Sequence, residues 1–110
     1  MNWNELTTVN QLGLIDLESE TMPVMILKHS TRCNISSMAL SRLERKWAGD
    51  AKLKPYYLDL IAHRDVSNEV ATRYGIEHES PQVLIIKEGK CIYTASHSGI
   101  SFEEISGFAA

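Results

Sequence analysis

Cys33 is the residue whose type and surroundings most readily support chemistry. It opens the string Cys33-Asn34-Ile35-Ser36, in which a hydroxyl rather than a second thiol stands at the fourth position. A cysteine thiolate can attack a disulfide, but Ser36 cannot resolve the mixed disulfide that forms. The string therefore predicts single-thiol exchange completed by a second, small thiol. The Ser36 hydroxyl can donate a hydrogen bond to the sulfur.

The other cysteine and the histidines indicate no second centre. Cys91 opens a predicted strand, which favours a structural role, with a distant resolving thiol as the alternative. Histidines at positions 29, 63, 78 and 97 lack metal-motif spacing to each other or to a cysteine. We therefore expect no metal site and no bound cofactor.

The composition is that of one globular domain, residues 1–110. Hydrophobic residues make up 44% of the chain and charged residues 23%. A net charge of −3 provides no basic surface for nucleic acid or anionic lipid. We find no apolar run that could span a membrane and no secretory signal. These features predict a cytoplasmic protein, and its short charged surfaces suggest a monomer.

Hydrophobic periodicity and turn residues predict four helices and four strands. The helices are predicted at about Thr8 to Glu18, at about Asn34 to Trp47, from Asp65 to Gly75 and from Ser101 onward. The strands are predicted over Val24–Leu27, Tyr56–Ile61, Val83–Ile86 and Cys91–Ala95. The order helix, strand-helix-strand, helix, hairpin, helix requires one parallel pair and one antiparallel hairpin. It predicts an α/β thioredoxin-like fold, a four-stranded mixed sheet with helices on both faces.

Several residues are expected to begin or end these elements. Thr8, Asp65 and Ser101 are the predicted helix N-caps, the last within a capping box. Gly49 and Gly75 are the predicted stops of the second and third helices.

This order places Cys33 where the first strand leads into the second helix. Unpaired amides converge at a helix N-terminus and the helix dipole adds positive charge there, so both favour a thiolate. The amides near Ile35 and Ser36 are the expected donors. Arg32 adds a neighbouring positive charge, and polar residues on either side of Cys33 argue against its burial.

Pro81 follows Ser80 just before the third predicted strand. Thioredoxin-like folds carry a cis proline here that faces the cysteine, whereas a trans proline would merely start the strand. If the bond is cis, the Ser80 backbone would face the Cys33 sulfur and could pair with a substrate strand. We expect Ser80 and Pro81, with Thr31 beside the cysteine, to contact the substrate.

Five strings carry a resemblance to a known family. They are Lys28-His29-Ser30-Thr31-Arg32-Cys33, Ile35-Ser36, Arg64-Asp65-Val66-Ser67-Asn68, His78-Glu79-Ser80-Pro81-Gln82 and Ala95-Ser96-His97. Together they resemble the bacillithiol-system protein family, also called YtxJ-like or monothiol bacilliredoxins, over about residues 12–105. The family motif has proline after the cysteine, where this chain has Asn34. That change loosens the first helical turn and adds a donor near the sulfur.

The resemblance implies a bacterial enzyme that removes bacillithiol from protein mixed disulfides. Bacillithiol would then be a co-substrate rather than a bound cofactor. The implied partners are S-thiolated client proteins and a reductase for the small-thiol disulfide. Arg32, Asn34 and Asn68 are candidates for contacting the sugar and acid groups of bacillithiol.

Two other functions stay open from the sequence. A single-thiol protein of this fold can hold an iron–sulfur cluster between two protomers with the help of small thiols. A non-enzymatic binding domain would instead present the proline loop to a partner while Cys33 stays inert. Visible absorption after anaerobic purification would indicate the first, and slow alkylation of Cys33 at neutral pH the second.

Overall fold

The run of buried residues around Val24–Leu27 forms the centre of a mixed sheet. The computed structural model describes residues 2–47 and 52–109. Its strands are β1 (Asn4–Glu5), β2 (Val24–His29), β3 (Lys54–Asp59), β4 (Gln82–Lys87) and β5 (Lys90–Ser96). Its helices are α1 (Gln11–Glu18), α2 (Asn34–Lys46), α3 (Arg64–Tyr74) and α4 (Phe102–Ser106), with a short 3-10 helix at His97–Gly99.

The strand order is β1-β3-β2-β4-β5. Strand β2 pairs in parallel with β3 and antiparallel with β4, and β4 pairs antiparallel with β5. The predicted fold class is confirmed. The sheet gains a fifth strand because β1 adds in parallel to the outer edge of β3. Two residues are too few to give an alternating pattern, so the sequence does not predict β1.

Side chains of β2 alternate between two apolar layers. Val24 and Ile26 face α1 and α3, whereas Met25 and Leu27 face α2 and α4. Both faces of the strand are fully buried. Helices on both faces of the sheet therefore fix the end of β2, from which the chain runs to Cys33.

Two predicted N-caps are wrong. Helix α1 begins at Gln11 because the Gln11 side-chain oxygen accepts hydrogen bonds from the amides of Thr7 and Thr8 and holds them in a turn. Helix α3 begins at Arg64, so Asp65 lies within its first turn rather than capping it. Strand β3 runs two residues earlier than predicted.

Other predicted boundaries are confirmed. Gly75 ends α3 with a φ of 66°, in the left-handed region that glycine favours. The Ser101 hydroxyl accepts a hydrogen bond from the Glu104 amide at 3.4 Å. Glu88 and Gly89 form the hairpin turn with positive φ angles. The stop predicted at Gly49 lies outside the described residues.

Within the described residues, no helix combines the length and apolar character needed to cross a membrane.

Candidate active site

Cys33 is the N-cap residue of α2 and is half-buried. The first helical hydrogen bond runs from the Ser37 amide to the Cys33 carbonyl at 3.0 Å. The amides of Asn34, Ile35 and Ser36 therefore have no carbonyl partner within the helix. No acidic residue lies in this first turn. The cysteine side chain thus starts at the positive end of a helix of 13 residues, a position that favours negative charge.

The Ser36 hydroxyl holds the loop that carries Cys33. It is buried, accepts a hydrogen bond from the Ser30 amide at 3.0 Å and lies 2.7 Å from Nδ1 of His29. The Cys33 amide in turn donates to the Ser30 carbonyl at 3.1 Å. Burial lowers the pKa of His29, against an opposing effect of Asp59. Ser36 is therefore engaged by the loop and by His29, not by the Cys33 sulfur.

The residues flanking Cys33 form an open surface. Thr31, Arg32 and Asn34 are exposed, and Ile35 keeps 57% of its surface exposed. The structure brings these side chains around the cysteine but gives them no fixed contact to the sulfur. Thiolate stabilisation by Arg32 and Asn34, and substrate contact by Thr31, stay predictions.

Residues 78–81, which we call the proline loop, lie beside the Cys33 loop. The antiparallel register of β2 and β4 pairs Lys28 with Gln82. Continuing that register places Pro81 and Ser80 next to the chain as it leaves β2 towards Cys33. The peptide bond between Ser80 and Pro81 is cis. The Ser80 hydroxyl is buried and has no hydrogen-bond partner within residues 2–47 and 52–109.

The proline loop is anchored by hydrogen bonds from Gln82, Ser96 and His97. The Gln82 amide nitrogen donates to the Glu77 carbonyl at 2.9 Å, and its oxygen accepts from the Glu79 amide at 3.4 Å. From the end of β5, the Ser96 hydroxyl donates to Glu79 Oε2 at 2.5 Å. The His97 amide donates to the Pro81 carbonyl at 3.0 Å. The anchoring role of Gln82 is not predicted from the sequence, where it is only part of a resembling string.

Lys28 provides a further anchor, which the sequence interpretation also missed. It is fully buried in β2, and its Nζ donates to the Ser67 carbonyl at 3.2 Å and lies 3.1 Å from Nδ1 of His78. Burial lowers the pKa of Lys28 to about 8. The available signal was a lysine directly after the continuous apolar run of the strand, but its burial was not predicted.

Cys91 has a different environment from Cys33. It packs against the core on the α1 and α3 side, and its thiol donates to the Tyr93 carbonyl at 3.3 Å. Burial raises the pKa of this thiol, which favours the unreactive form. Among the described residues, no three or more His, Cys, Asp or Glu side chains are grouped so as to hold a metal ion.

Solved structures resemble this fold closely. A protein described as a candidate oxidoreductase with a thioredoxin fold is 27% identical, with a TM-score of 0.78, over 94% of this chain and 89% of that chain. Thioredoxin of Malassezia sympodialis is 17% identical, with a TM-score of 0.70, over 96% of this chain and 86% of its own. Thioredoxin of Fasciola hepatica is 14% identical, with a TM-score of 0.72, over 94% and 93%. The two thioredoxins support the fold alone.

The sequence also matches a family directly. The family described as monothiol bacilliredoxin BrxC matches residues 4–105, which include Cys33, the proline loop and every strand of the sheet. The match confirms the resemblance carried by the sequence strings. The chain belongs to the monothiol bacilliredoxin family, and it is a thiol redox enzyme with a thioredoxin fold.

Proposed function

We propose that this protein removes a low-molecular-weight thiol, bacillithiol, from protein mixed disulfides through Cys33. The observation that carries the proposal is the position of Cys33 as N-cap of α2, with unpaired first-turn amides and no acidic residue beside it. This position favours the thiolate, which is the nucleophile in disulfide exchange. A hydroxyl at the resolving position limits the exchange to a single protein thiol.

The reaction then has two balanced steps. In the first, the Cys33 thiolate attacks the small-thiol sulfur of the mixed disulfide, and the client cysteine leaves as a reduced thiolate. In the second, the thiolate of another small thiol attacks the adduct on Cys33. This attack restores the Cys33 thiolate and releases the small-thiol disulfide. No net electrons remain on the enzyme, so a separate reductase must consume that disulfide.

The geometry supports separate roles for the surrounding residues. Amides of Ile35 and Ser36 stabilise the thiolate and the leaving sulfur, since both carry negative charge. The Ser36 hydroxyl positions the Cys33 loop through Ser30. Ser80 and Pro81 offer the neighbouring backbone for substrate, and Thr31 lies beside it. We propose that the enzyme acts as a monomer in the cytoplasm on S-thiolated client proteins.

Intact-mass measurement tests the proposal directly. The reduced enzyme is mixed separately with a bacillithiolated and a glutathionylated carrier protein. We expect an adduct of one small thiol on the enzyme, forming faster from the bacillithiolated carrier. Cys33→Ser should form none, and the matched variant Cys91→Ser should react like the wild type because its thiol is packed and protonated.

Other outcomes would select another function. An enzyme that takes no adduct from either carrier has an inert Cys33, and the binding-domain hypothesis would then apply. Equal rates from the two carriers would support general thiol exchange and contradict bacillithiol preference. A brown protein after anaerobic purification would instead favour the iron–sulfur hypothesis.

A further inference from the structure

Lys28 carries a buried positive charge that the proposed chemistry does not use. Its side chain is completely inaccessible, and within residues 2–47 and 52–109 its Nζ forms hydrogen bonds only with the Ser67 carbonyl and the His78 ring. None of the ion pairs within the described residues involves Lys28. Burying a charge without a counter-ion is costly. Lys28 is therefore a buried positive charge with which no carboxylate of the described residues forms an ion pair.

The contact with Lys28 determines the tautomer of His78. An ammonium group only donates, so Nδ1 of His78 must accept, and the Ser67 hydroxyl lies 3.4 Å from the same nitrogen. Burial and the neighbouring charges of Lys28 and Arg64 lower the pKa of His78, which favours the neutral ring. A neutral ring that accepts at Nδ1 carries its proton on Nε2. His78 is exposed, so this N–H faces away from Lys28 towards solvent.

The charges around this pair are predominantly positive. Helix α3 contributes Arg64, and the proline loop contributes Glu79, whose Oε2 already accepts from the Ser96 hydroxyl. The strand neighbours of Lys28 are Leu58 on β3 and Gln82 on β4, and both are uncharged. An anionic group beside His78 would therefore meet a hydrogen-bond donor backed by a buried cation.

We propose that His78 binds a carboxylate of the small-thiol part of the mixed disulfide, and that Lys28 is the positioning residue that holds its Nε2–H outward for this contact. The site lies on the α3 side of the sheet, at the end of β2 from which the chain runs to Cys33, and on the same loop as Ser80 and Pro81. This inference rests on the proposed function, because it assigns the part of the substrate that the enzyme recognises.

Nuclear magnetic resonance tests the positioning role without any substrate. In wild-type protein, two-bond proton–nitrogen spectra should show the His78 ring with Nδ1 unprotonated and Nε2 protonated at pH 7. In Lys28→Met we expect averaged nitrogen shifts and a titration midpoint at higher pH, because the ammonium no longer opposes ring protonation. An unchanged His78 spectrum in Lys28→Met would overturn the positioning role.

Exchange rates with two small disulfides test recognition of the carboxylate. The probes are 3,3′-dithiodipropionate, which is anionic, and 2-hydroxyethyl disulfide, which is neutral. Each variant gives a ratio of the two exchange rates with Cys33. Comparing this ratio between variants removes the intrinsic reactivity of each probe, because that reactivity is the same in every variant. His78→Ala should lower the anionic-to-neutral ratio about tenfold, the effect expected for one hydrogen bond to a charged group. Lys28→Met should lower the same ratio, since it removes the supporting charge.

Two variants control for non-specific effects. His78→Gln keeps an N–H donor near the position of Nε2 and should retain most of the ratio. His97→Asn removes another exposed histidine beside the proline loop, at a left-handed residue that asparagine tolerates, and should leave the ratio unchanged. A ratio unaffected by His78→Ala overturns the proposal.

Failure of the proposed function gives a different result. If Cys33 is inert, neither probe reacts; if it exchanges thiols without bacillithiol preference, both probes still react. In either case the carboxylate contact can be measured in Cys33→Ser. Addition of 3,3′-dithiodipropionate to that variant should shift the His78 Nε2 resonance, and 2-hydroxyethyl disulfide should not. Equal or absent shifts from the two compounds would refute the carboxylate contact independently of catalysis.

Discussion

Replacing Lys28 with methionine should stabilise the protein. Methionine has nearly the same length and no charge, so it fills the space without the desolvation cost. The two contacts that are lost can be replaced. The Ser67 carbonyl lies within α3, where the helix supplies an amide, and the exposed His78 ring can be hydrated. We therefore expect removal of the charge to dominate the change in unfolding free energy.

The magnitude follows from the pKa of Lys28, which burial lowers from 10.5 to about 8. The unfolded chain binds this proton more tightly than the folded protein does. Below pH 8 the folded protein bears the full penalty, and stability rises with pH between about 8 and 10.5 as the buried amine loses its proton. Each pKa unit corresponds to about 1.4 kcal/mol, so Lys28→Met should be more stable by about 3 kcal/mol at pH 7.

Urea unfolding followed by tryptophan fluorescence at pH 7, 8, 9 and 10 measures this difference. The gap between Lys28→Met and wild type should be largest at pH 7 and should shrink steadily towards pH 10. Titration of Cys91 in the same range is common to both proteins and cancels in the difference. Lys90→Met, at an exposed position on β5, should change stability by less than about 0.5 kcal/mol. A Lys28→Met protein that is less stable at pH 7, or a gap independent of pH, would refute the argument.

Four further substitutions test the packing of the site and of the fold. Ser80→Ala should raise the unfolding free energy by about 1 kcal/mol, because it removes a buried hydroxyl that has no partner in the described part of the chain; a loss of stability in urea would contradict this. Ser36→Ala should destabilise by roughly 1–3 kcal/mol and alter the iodoacetamide alkylation rate of Cys33, because the Ser30 amide and His29 lose their shared partner. Ser37→Ala, exposed on the same turn, is the matched control and should do neither. Gly89→Ala should cost about 1 kcal/mol through its φ of 73° alone, since no described residue other than its chain neighbours has an atom within 4 Å of the added carbon. Gly13→Ala, within helix α1 and equally open, should stabilise by about 0.5–1 kcal/mol, and thermal melts of the two variants should move in opposite directions.

Local sequence patterns were sufficient to predict most of the fold. The apolar run at Val24–Leu27 predicts a strand buried on both faces, and Gly75 and the Ser101 capping box end or begin their helices as expected. The predicted start of α1 failed because a local side chain competes for backbone groups. The Gln11 side chain binds the amides of Thr7 and Thr8, and the helix begins after them.

The candidate site was only partly predictable for a related reason. Cys33 follows from its own type and from its place between a strand and a helix. The roles of Lys28 and Gln82 depend on partners that are distant in sequence, since Lys28 meets residues 39 and 50 positions away. Hydrophobic pattern assigns a lysine to the surface by default. Only the antiparallel pairing of β2 with β4 shows that Lys28 lies beneath the proline loop.

Strand β1 has a consequence for the exposed edge of the sheet. Its two residues cover the edge of β3, and the Leu6 amide continues the pairing to the Tyr57 carbonyl at 2.9 Å. The Trp3 indole N–H donates a hydrogen bond to Glu44 Oε2 on α2 at 3.0 Å, and this contact holds the same segment in place. Without this cover, β3 would present unpaired amides and carbonyls to any other extended chain. The few residues around β1 are therefore expected to reduce edge-to-edge aggregation. A shortened chain that begins after Leu6 should precipitate more readily than one that keeps these residues.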